Sequence, residues 1–411
     1  MPTATPRATR STLDRAEDAP VPVAQSVVDA ANRQIASLFG RRQPFSGRVK
    51  LWFDAERGFI VDGTRQTIDP VAGEADCEVL IKACDLKLMM RSELDPRQAL
   101  VFGGMVVRAG SVARAVEFGD FLTGRPLEPP KADRARTPQP VRDWEQARRD
   151  LAEFGYALVE GALTGEELAR LRARVVEQAA AERAAGKASV GESAQRLWNL
   201  INKGRSFHDL LLNPLVEAFV ADAIGSHALL HGFVAQIALP GNAPSIMHYD
   251  QIAVQPKVDF QIGLNLLWFL DDVCEANGGT RIVPGSHHRH VGPADPFVTD
   301  GTVAAAGPAG TALLLDSRVW HSVGSNVTAR PRHVIASYFV RSYMRTQENY
   351  FLSLLPDVYQ KLDDRVRVML GFRCTGSLGG VEGPVEGQMV TWPGRPVGEL
   401  SRAPDANSSS R

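Results

Sequence analysis

The sequence predicts two folded parts in one chain: an α+β N-terminal domain over residues 23–127 and a jelly-roll β-barrel with flanking helices over residues 142–375. Three observations predict it. The chain has 411 residues, too many for one ordinary compact domain. A stretch rich in proline and charge, PPKADRARTPQP from Pro129 to Pro140, interrupts the apolar periodicity and reads as a linker at 128–141. The pattern also changes across it, from apolar alternation to helices followed by many short strands.

In the first part, apolar residues alternate at Val49, Leu51 and Phe53. They continue at Phe59 and Val61 up to an Asp62-Gly63 turn, and resume at Cys77, Val79 and Ile81. Period two with one apolar face predicts an antiparallel sheet. Two helices are expected beside it, one over 85–91 and one opened by Ser111 as N-cap, with Val112, Ala115, Val116 and Phe118 behind it. Residues 1–22 and the Gly-, Pro- and Ser-rich stretch 376–411 read as a disordered N-terminus and a poorly ordered tail.

In the second part, Trp144, Ala147, Leu151 and Phe154 recur at helical spacing, and 155–159 reads as a strand. Thr164 with Glu167 is a capping box that opens a second helix through Leu168 and Leu171. Beyond Gly232 the signals are strands, at 233–239, 262–270, 311–315 and 333–340, joined by Gly and Pro turns.

Composition narrows the partners. Hydrophobic residues make up 44% and charged residues 23%, and 46 basic against 47 acidic groups leave a formal charge of -1. That balance favours neither nucleic acid nor an anionic membrane. Cys77, Cys84, Cys274 and Cys374 lack CxxC spacing and the density of a disulfide framework, so reduced thiols in a cytoplasmic protein are expected. The first twenty residues contain no apolar run of a secretory signal, and no window has the length of a membrane span.

The chemistry concentrates at His248-Tyr249-Asp250. Residues i and i+2 of an extended segment share a face, so one imidazole and one carboxylate can meet one metal while Tyr249 points away. Alone, a His-x-Asp is more readily a surface strand or an N-cap than a metal site. The second observation is His321, which ends an apolar strand and polar turn, LLLDSRVWH from Leu313. Two histidines and a carboxylate leave adjacent positions of an octahedral iron open for a bidentate oxoacid and O2. Eleven residues on, Arg332 opens the last strand. Its planar, always charged fork suits the distal carboxylate of 2-oxoglutarate.

These four residues, with Leu270-Asp271-Asp272-Val273 and the string NGGTRIVPGSH from Asn277 to His287, resemble the phytanoyl-CoA dioxygenase family over most of residues 142–345. The resemblance implies a double-stranded β-helix that uses Fe(II), 2-oxoglutarate and O2 to hydroxylate an unactivated carbon. By position it makes His248, Asp250 and His321 the metal ligands and catalytic centre, and Arg332 the partner of the cosubstrate carboxylate. Gln236 stands where relatives place an amide near 2-oxoglutarate. Relatives also place an aromatic three residues before the Leu-Asp-Asp run. Here that position is Leu267, and its neighbour Trp268 is expected to face the other side. Asp250 implies hydroxylation or desaturation over halogenation, because halogenating relatives carry a small residue there. The N-terminal region, about a quarter of the chain over 23–127, resembles the sterol carrier protein type two family through LDPRQA from Leu94 followed by FGGMVVRAG from Phe102, which implies an acyl or isoprenoid ligand in this domain.

Other residues have structural readings. His287, His288 and His290 are expected in a solvated turn rather than at a second metal. Asn326 and Thr328 shape the approach to Arg332, Gly278 and Gly279 are positive-φ turn positions, and Met89, Met90 and Met105 fill a core. Trp144 and Trp198 are read as packing, and Arg196, Asn199 and Lys203 as solvated helix surface. The expected substrate is a hydrophobic, acyl or carrier-tethered molecule. The alternatives are a soluble amino acid or natural-product intermediate, and a catalytically inactive lipid carrier. The last is disfavoured because a retired site has no chemical reason to keep all four residues.

Overall fold

A computed structural model of the chain describes residues 22–92, 94–101, 104–124, 137–191, 194–254, 258–289, 293, 301–380 and 389. Residues 1–21 of the expected N-terminus, residues 128–136 of the linker, most of the tail and His290 lie outside the described residues. The chain divides into two compact units, residues 1–128 with 255–257, and residues 129–254 with 258–411. Among the described residues, no helix is long and apolar enough to cross a membrane.

The first unit runs α1 (Gln25–Ala36), β1 (Arg48–Trp52), β2 (Gly58–Asp62), β3 (Thr67–Pro70), β4 (Cys77–Ile81), α2 (Ala83–Met90), α3 (Pro96–Val101), β5 (Met105–Gly110) and α4 (Val112–Thr123). Its sheet has the order β3-β2-β1-β4-β5. The expected apolar alternation is present: Val49 and Leu51 are fully buried between half-exposed Arg48, Lys50 and Trp52. The sheet is mixed, however, because β4 pairs parallel to β1, with Val49 opposite Cys77. Alternation has period two in either direction, so it reports which face is buried and not which way the neighbour runs. Four elements had no expectation: α1, β3, α3 and β5. α1 buries Val28, Ala31 and Ile35 along one stripe, and β3 escapes an alternation reading because it buries none of its residues fully. Ser111 is the N-cap of α4, but its side chain makes no capping bond. Met89 and Met105 are wholly buried in one apolar cluster with Leu51, Val79 and Phe118, which agrees with core filling.

The second unit begins with α5 (Trp144–Phe154), β6 (Tyr156–Val159), α6 (Gly165–Ala184), β7 (Ser189–Val190), β8 (Gln195–Leu197), α7 (Arg205–Leu211) and α8 (Pro214–Ile224). The barrel strands are β9 (Leu229–Ala238), β10 (Gly263–Phe269), β11 (Arg281–Val283), β12 (Val303–Ala304), β13 (Ala312–Asp316), β14 (Trp320–Ser322) and β15 (Arg332–Val340). Three short helices follow, α9 (Tyr350–Ser353), α10 (Pro356–Tyr359) and α11 (Asp364–Met369). The capping box forms as expected: the Glu167 amide donates to Thr164 Oγ1 and the Thr164 amide to Glu167 Oε2 at 2.8 Å.

Strands β6-β13-β10-β15-β9-β8-β7 form one sheet and β12-β11-β14 a second. Alternation along the large sheet separates two cores. Leu264, Leu266, Trp268, Ile335 and Phe339 pack on the helices. Leu267, Phe269, Leu315, Val334 and Ala336 meet Ile282 of the small sheet. Two sheets enclosing an apolar interior are the arrangement a jelly roll needs. Trp268 lies on the helix side with its indole N–H donating to Ser337 Oγ, and Leu267 on the inner side, as expected. Every residue named for chemistry stands at the rim of that inner space.

Candidate active site

The segment carrying His248 lies beside β14. The His248 amide donates to the His321 carbonyl at 2.9 Å and the His321 amide to the His248 carbonyl at 2.8 Å. This single bridge brings the two rings to 4.4 Å between centroids. Tyr249 is extended, at φ -131° and ψ 141°, so His248 and Asp250 share a face. Tyr249 itself joins Met247, Ile252, Val283 and Trp320 in a small apolar cluster. The turn that follows is pinned by Gln251, whose Oε1 accepts from the Ile262 amide at 3.0 Å and from Ser317 Oγ at 2.8 Å.

Each imidazole is oriented by its second nitrogen. His248 Nδ1 lies 3.0 Å from the Ile246 carbonyl and His321 Nδ1 3.1 Å from that of Val319. A carbonyl can only accept, so Nδ1 carries the proton and Nε2 presents a lone pair. Both Nε2 atoms face Asp250 Oδ1, at 3.8 Å from His248 and 3.5 Å from His321. Asn265 Nδ2 donates to the other oxygen, Oδ2, at 3.0 Å. The three ligand atoms lie within 4.8 Å of one another. Burial and the neighbouring His321 push the His248 pKa down to about 4, although a third of its side chain is open to solvent. The ring is therefore neutral at pH 7. Two imidazoles with their Nε2 atoms turned to the site and one carboxylate, each held by a further hydrogen bond, are a donor set that fits a divalent metal.

Arg332, Val334, Ala336 and Tyr338 alternate onto the inner face of β15. Arg332 is 4% exposed, and burial pushes its guanidinium down to about 10. Its Nη2 donates to the Gly278 carbonyl, and its Nε reaches the Asn277 carbonyl at 3.5 Å. Among the described residues no carboxylate forms an ion pair with it. On β9, Gln236 stands opposite Val334, on the same face, and on β8 Arg196 stands opposite Gln236. All five candidate residues thus fall on the inner side of one unit.

Several expectations need correction. Arg196 is on a strand facing the inner space, not on a solvated helix, and its charge is felt at His248. The helical reading of that stretch failed because β8 is only three residues long. Asn199 has a left-handed backbone, φ 58°, and its amide donates to Glu348 Oε1, while Lys203 pairs with Glu182. His287 is 2% exposed rather than solvated: its Nε2 meets the Ala152 carbonyl at 3.0 Å. Gly278 has φ +86°, but Gly279 is needed for space, since a Cβ there would meet the Cys274 carbonyl oxygen at 2.8 Å. Asn326 does shape the turn before Arg332, with Nδ2 donating to the Ala238 and Arg330 carbonyls. Asn265 was missed by sequence reasoning. A polar residue in an otherwise apolar strand, GLNLLWF, was the available signal.

A cleft of about 270 Å³ lies between α8 and α11, on the helix side of the large sheet, walled by Val216, Val220, Val368 and Met369. It contains none of the candidate residues.

Residues 151–334 match the family model described as phytanoyl-CoA dioxygenase. The relatives include "Dioxygenase af480" of Aspergillus fumigatus, 27% identical over 241 residues, which span 56% of this chain and 78% of the relative. "Dioxygenase andF" of Emericella variicolor is 26% identical, over 45% of this chain and 67% of the relative. Among solved structures, the non-heme alpha ketoglutarate dependent carbocyclase SnoK from nogalamycin biosynthesis is 18% identical, with a TM-score of 0.43, over 53% of this chain and 94% of that one. Residues 151–334 are a phytanoyl-CoA dioxygenase family domain, and the chain that carries it is a non-haem iron, 2-oxoglutarate-dependent dioxygenase.

Proposed function

We propose that His248, Asp250 and His321 hold the Fe(II), that Arg332 receives the distal carboxylate of 2-oxoglutarate, and that the enzyme hydroxylates an unactivated C–H bond of a hydrophobic, acyl or carrier-tethered substrate. The observation that carries the reading is the convergence of two Nε2 lone pairs and one carboxylate on the inner rim of a barrel that also buries a guanidinium without a carboxylate partner among the described residues. When bound, the iron couples O2 and the oxoacid to oxidation of the substrate, with release of succinate and CO2.

The chain's own residues supply the geometry. The Ile246 and Val319 carbonyls keep both Nδ1 atoms protonated, so the ligand nitrogens are fixed before any metal arrives. Asn265 holds Asp250 against rotation. Arg332 offers a planar cation whose attraction for an anion is strengthened by its dry surroundings. Gln236 supplies an amide, and Arg196 a second cation, on the same face. Leu267, Phe269, Val334 and Ala336 form the apolar wall behind them and exclude water. The N-terminal unit, with helices over one face of its sheet, is read as the module that binds an acyl ligand. This raises the local concentration of such a substrate.

The test is anaerobic titration of metal-free protein with Fe(II) and 2-oxoglutarate, followed by the visible charge-transfer band of a chelated oxoacid. The band is expected in wild type and absent in His248→Ala. Folded wild-type protein without a band would remove the reading.

A further inference from the structure

Asp271 lies just beyond β10 and outside the inner space, yet it is tied to the residue next to Arg332. Its Oδ2 accepts from the His333 amide at 2.8 Å and lies 2.7 Å from His333 Nδ1. Its Oδ1 accepts from Arg172 Nε of α6 at 2.7 Å. The Leu270 amide donates to the His333 carbonyl at 3.1 Å, so the β10–β15 ladder is continued one step by the Asp271 side chain in place of backbone. His333 alternates outward and Arg332 inward. Fixing the amide and the ring of His333 therefore fixes the direction in which Arg332 leaves the strand.

The loop that begins at Asp271 also holds the other end of Arg332. Asn277 Nδ2 donates to the Asp272 carbonyl at 2.7 Å, and the Cys274 amide donates to Asn277 Oδ1 at 2.9 Å. These bonds present the Asn277 and Gly278 carbonyls that the guanidinium contacts. One loop thus grips Arg332 at its backbone, through Asp271 and His333, and at its head. Those contacts take only part of the guanidinium's five N–H donors.

We propose that Asp271 is a positioning residue for the cosubstrate: by holding His333 it aims Arg332, and it thereby sets the affinity for an oxoacid with a distal carboxylate without touching that ligand. The inference rests on the role given to Arg332 above. Asp271 is 19% exposed and His333 7%, so the tie lies in a dry region, where hydrogen bonds to a charged group are strong.

The experiment measures binding rather than turnover. Calorimetry follows 2-oxoglutarate and, separately, oxalate, added to the full-length chain loaded with Mn(II). Oxalate chelates the metal but has no distal carboxylate. In Asp271→Asn, 2-oxoglutarate is expected to bind about tenfold more weakly, the scale of a displaced supporting contact, while oxalate and Mn(II) affinities stay within about twofold of wild type. Arg172→Met removes one of the donors to Asp271 from an exposed position and serves if the first variant does not fold. It is expected to weaken 2-oxoglutarate about twofold to threefold, again with oxalate unchanged. Equal losses for both ligands, or no loss for either, would overturn the positioning role while leaving the cosubstrate reading intact. Failure of wild type to bind 2-oxoglutarate at all would overturn both.

Discussion

Each unit buries an arginine, and the two are treated differently. In the N-terminal unit Arg97, 5% exposed, donates from Nη1 and Nη2 to the two oxygens of Asp120 at 2.7 and 2.6 Å, with Asp95 3.5 Å away. In the second unit Arg332, 4% exposed, donates to the Asn277 and Gly278 carbonyls and has no ion pair with a carboxylate among the described residues. A buried cation with a fixed bidentate carboxylate is architecture, because its charge is answered by the chain itself. On the role proposed above for Arg332, a buried cation left to carbonyls is kept for an anion that arrives from outside. Burial is nearly the same in both, so the counter-ion, and not exposure, distinguishes a structural arginine from a receiving one.

The comparison can be broken by substitution. The largest effect is expected at the centre that Arg332 serves: Asp250→Ala should abolish succinate release while circular dichroism and the unfolding midpoint stay near wild type. Unchanged succinate production would refute the ligand assignment. Next, Asp120→Ala strands Arg97 and should cost about 3–5 kcal/mol, seen as a lower urea midpoint with 2-oxoglutarate affinity of the surviving folded protein unchanged. Arg332→Met should do the converse, leaving the urea midpoint equal or higher and weakening 2-oxoglutarate on the order of a hundredfold, or about 2–3 kcal/mol. If both arginines behaved alike, the distinction would fail.

The smallest effect is one of pH. Burial raises the Asp271 carboxyl, but the bonds from His333 and Arg172 more than offset this and hold it at about 2. A carboxyl depressed in the folded state contributes stability that is complete above its unfolded pKa near 4 and is lost as pH falls through about 2. The contribution is about 2 kcal/mol at most. Acid unfolding should therefore be less steep between those values in Asp271→Asn than in wild type.

Much of the candidate site was legible because its signals are local. The i and i+2 spacing of His248 and Asp250 survives in the extended Tyr249, and Arg332 follows His321 at the start of the last strand. The strand expectations at 262–270 and 333–340 agree with β10 and β15 to within a residue at each end, since dense apolar runs bounded by turns have few other solutions. Asn265, Arg196 and Asp271 were not legible. Each acts on a residue far along the chain: Asn265 on Asp250, Arg196 beside Gln236, Asp271 on His333. Asn265 stood out only as a polar residue in an apolar strand and Asp271 only within the Leu-Asp-Asp run, and neither signal names the distant residue it holds.

The sequence by itself determined which residues could be ligands, which strands have one wet and one dry face, and where the helix caps fall, because these depend on spacing along a few residues. Tertiary structure alone decided the parallel pairing of β4 with β1, the burial of His287, the space Gly279 must leave, and which of the buried arginines has no ion pair with a carboxylate among the described residues. The physical reason is that periodicity assigns a side chain to a face, whereas strand direction, close approach and charge pairing are properties of two segments brought together from distant parts of the chain.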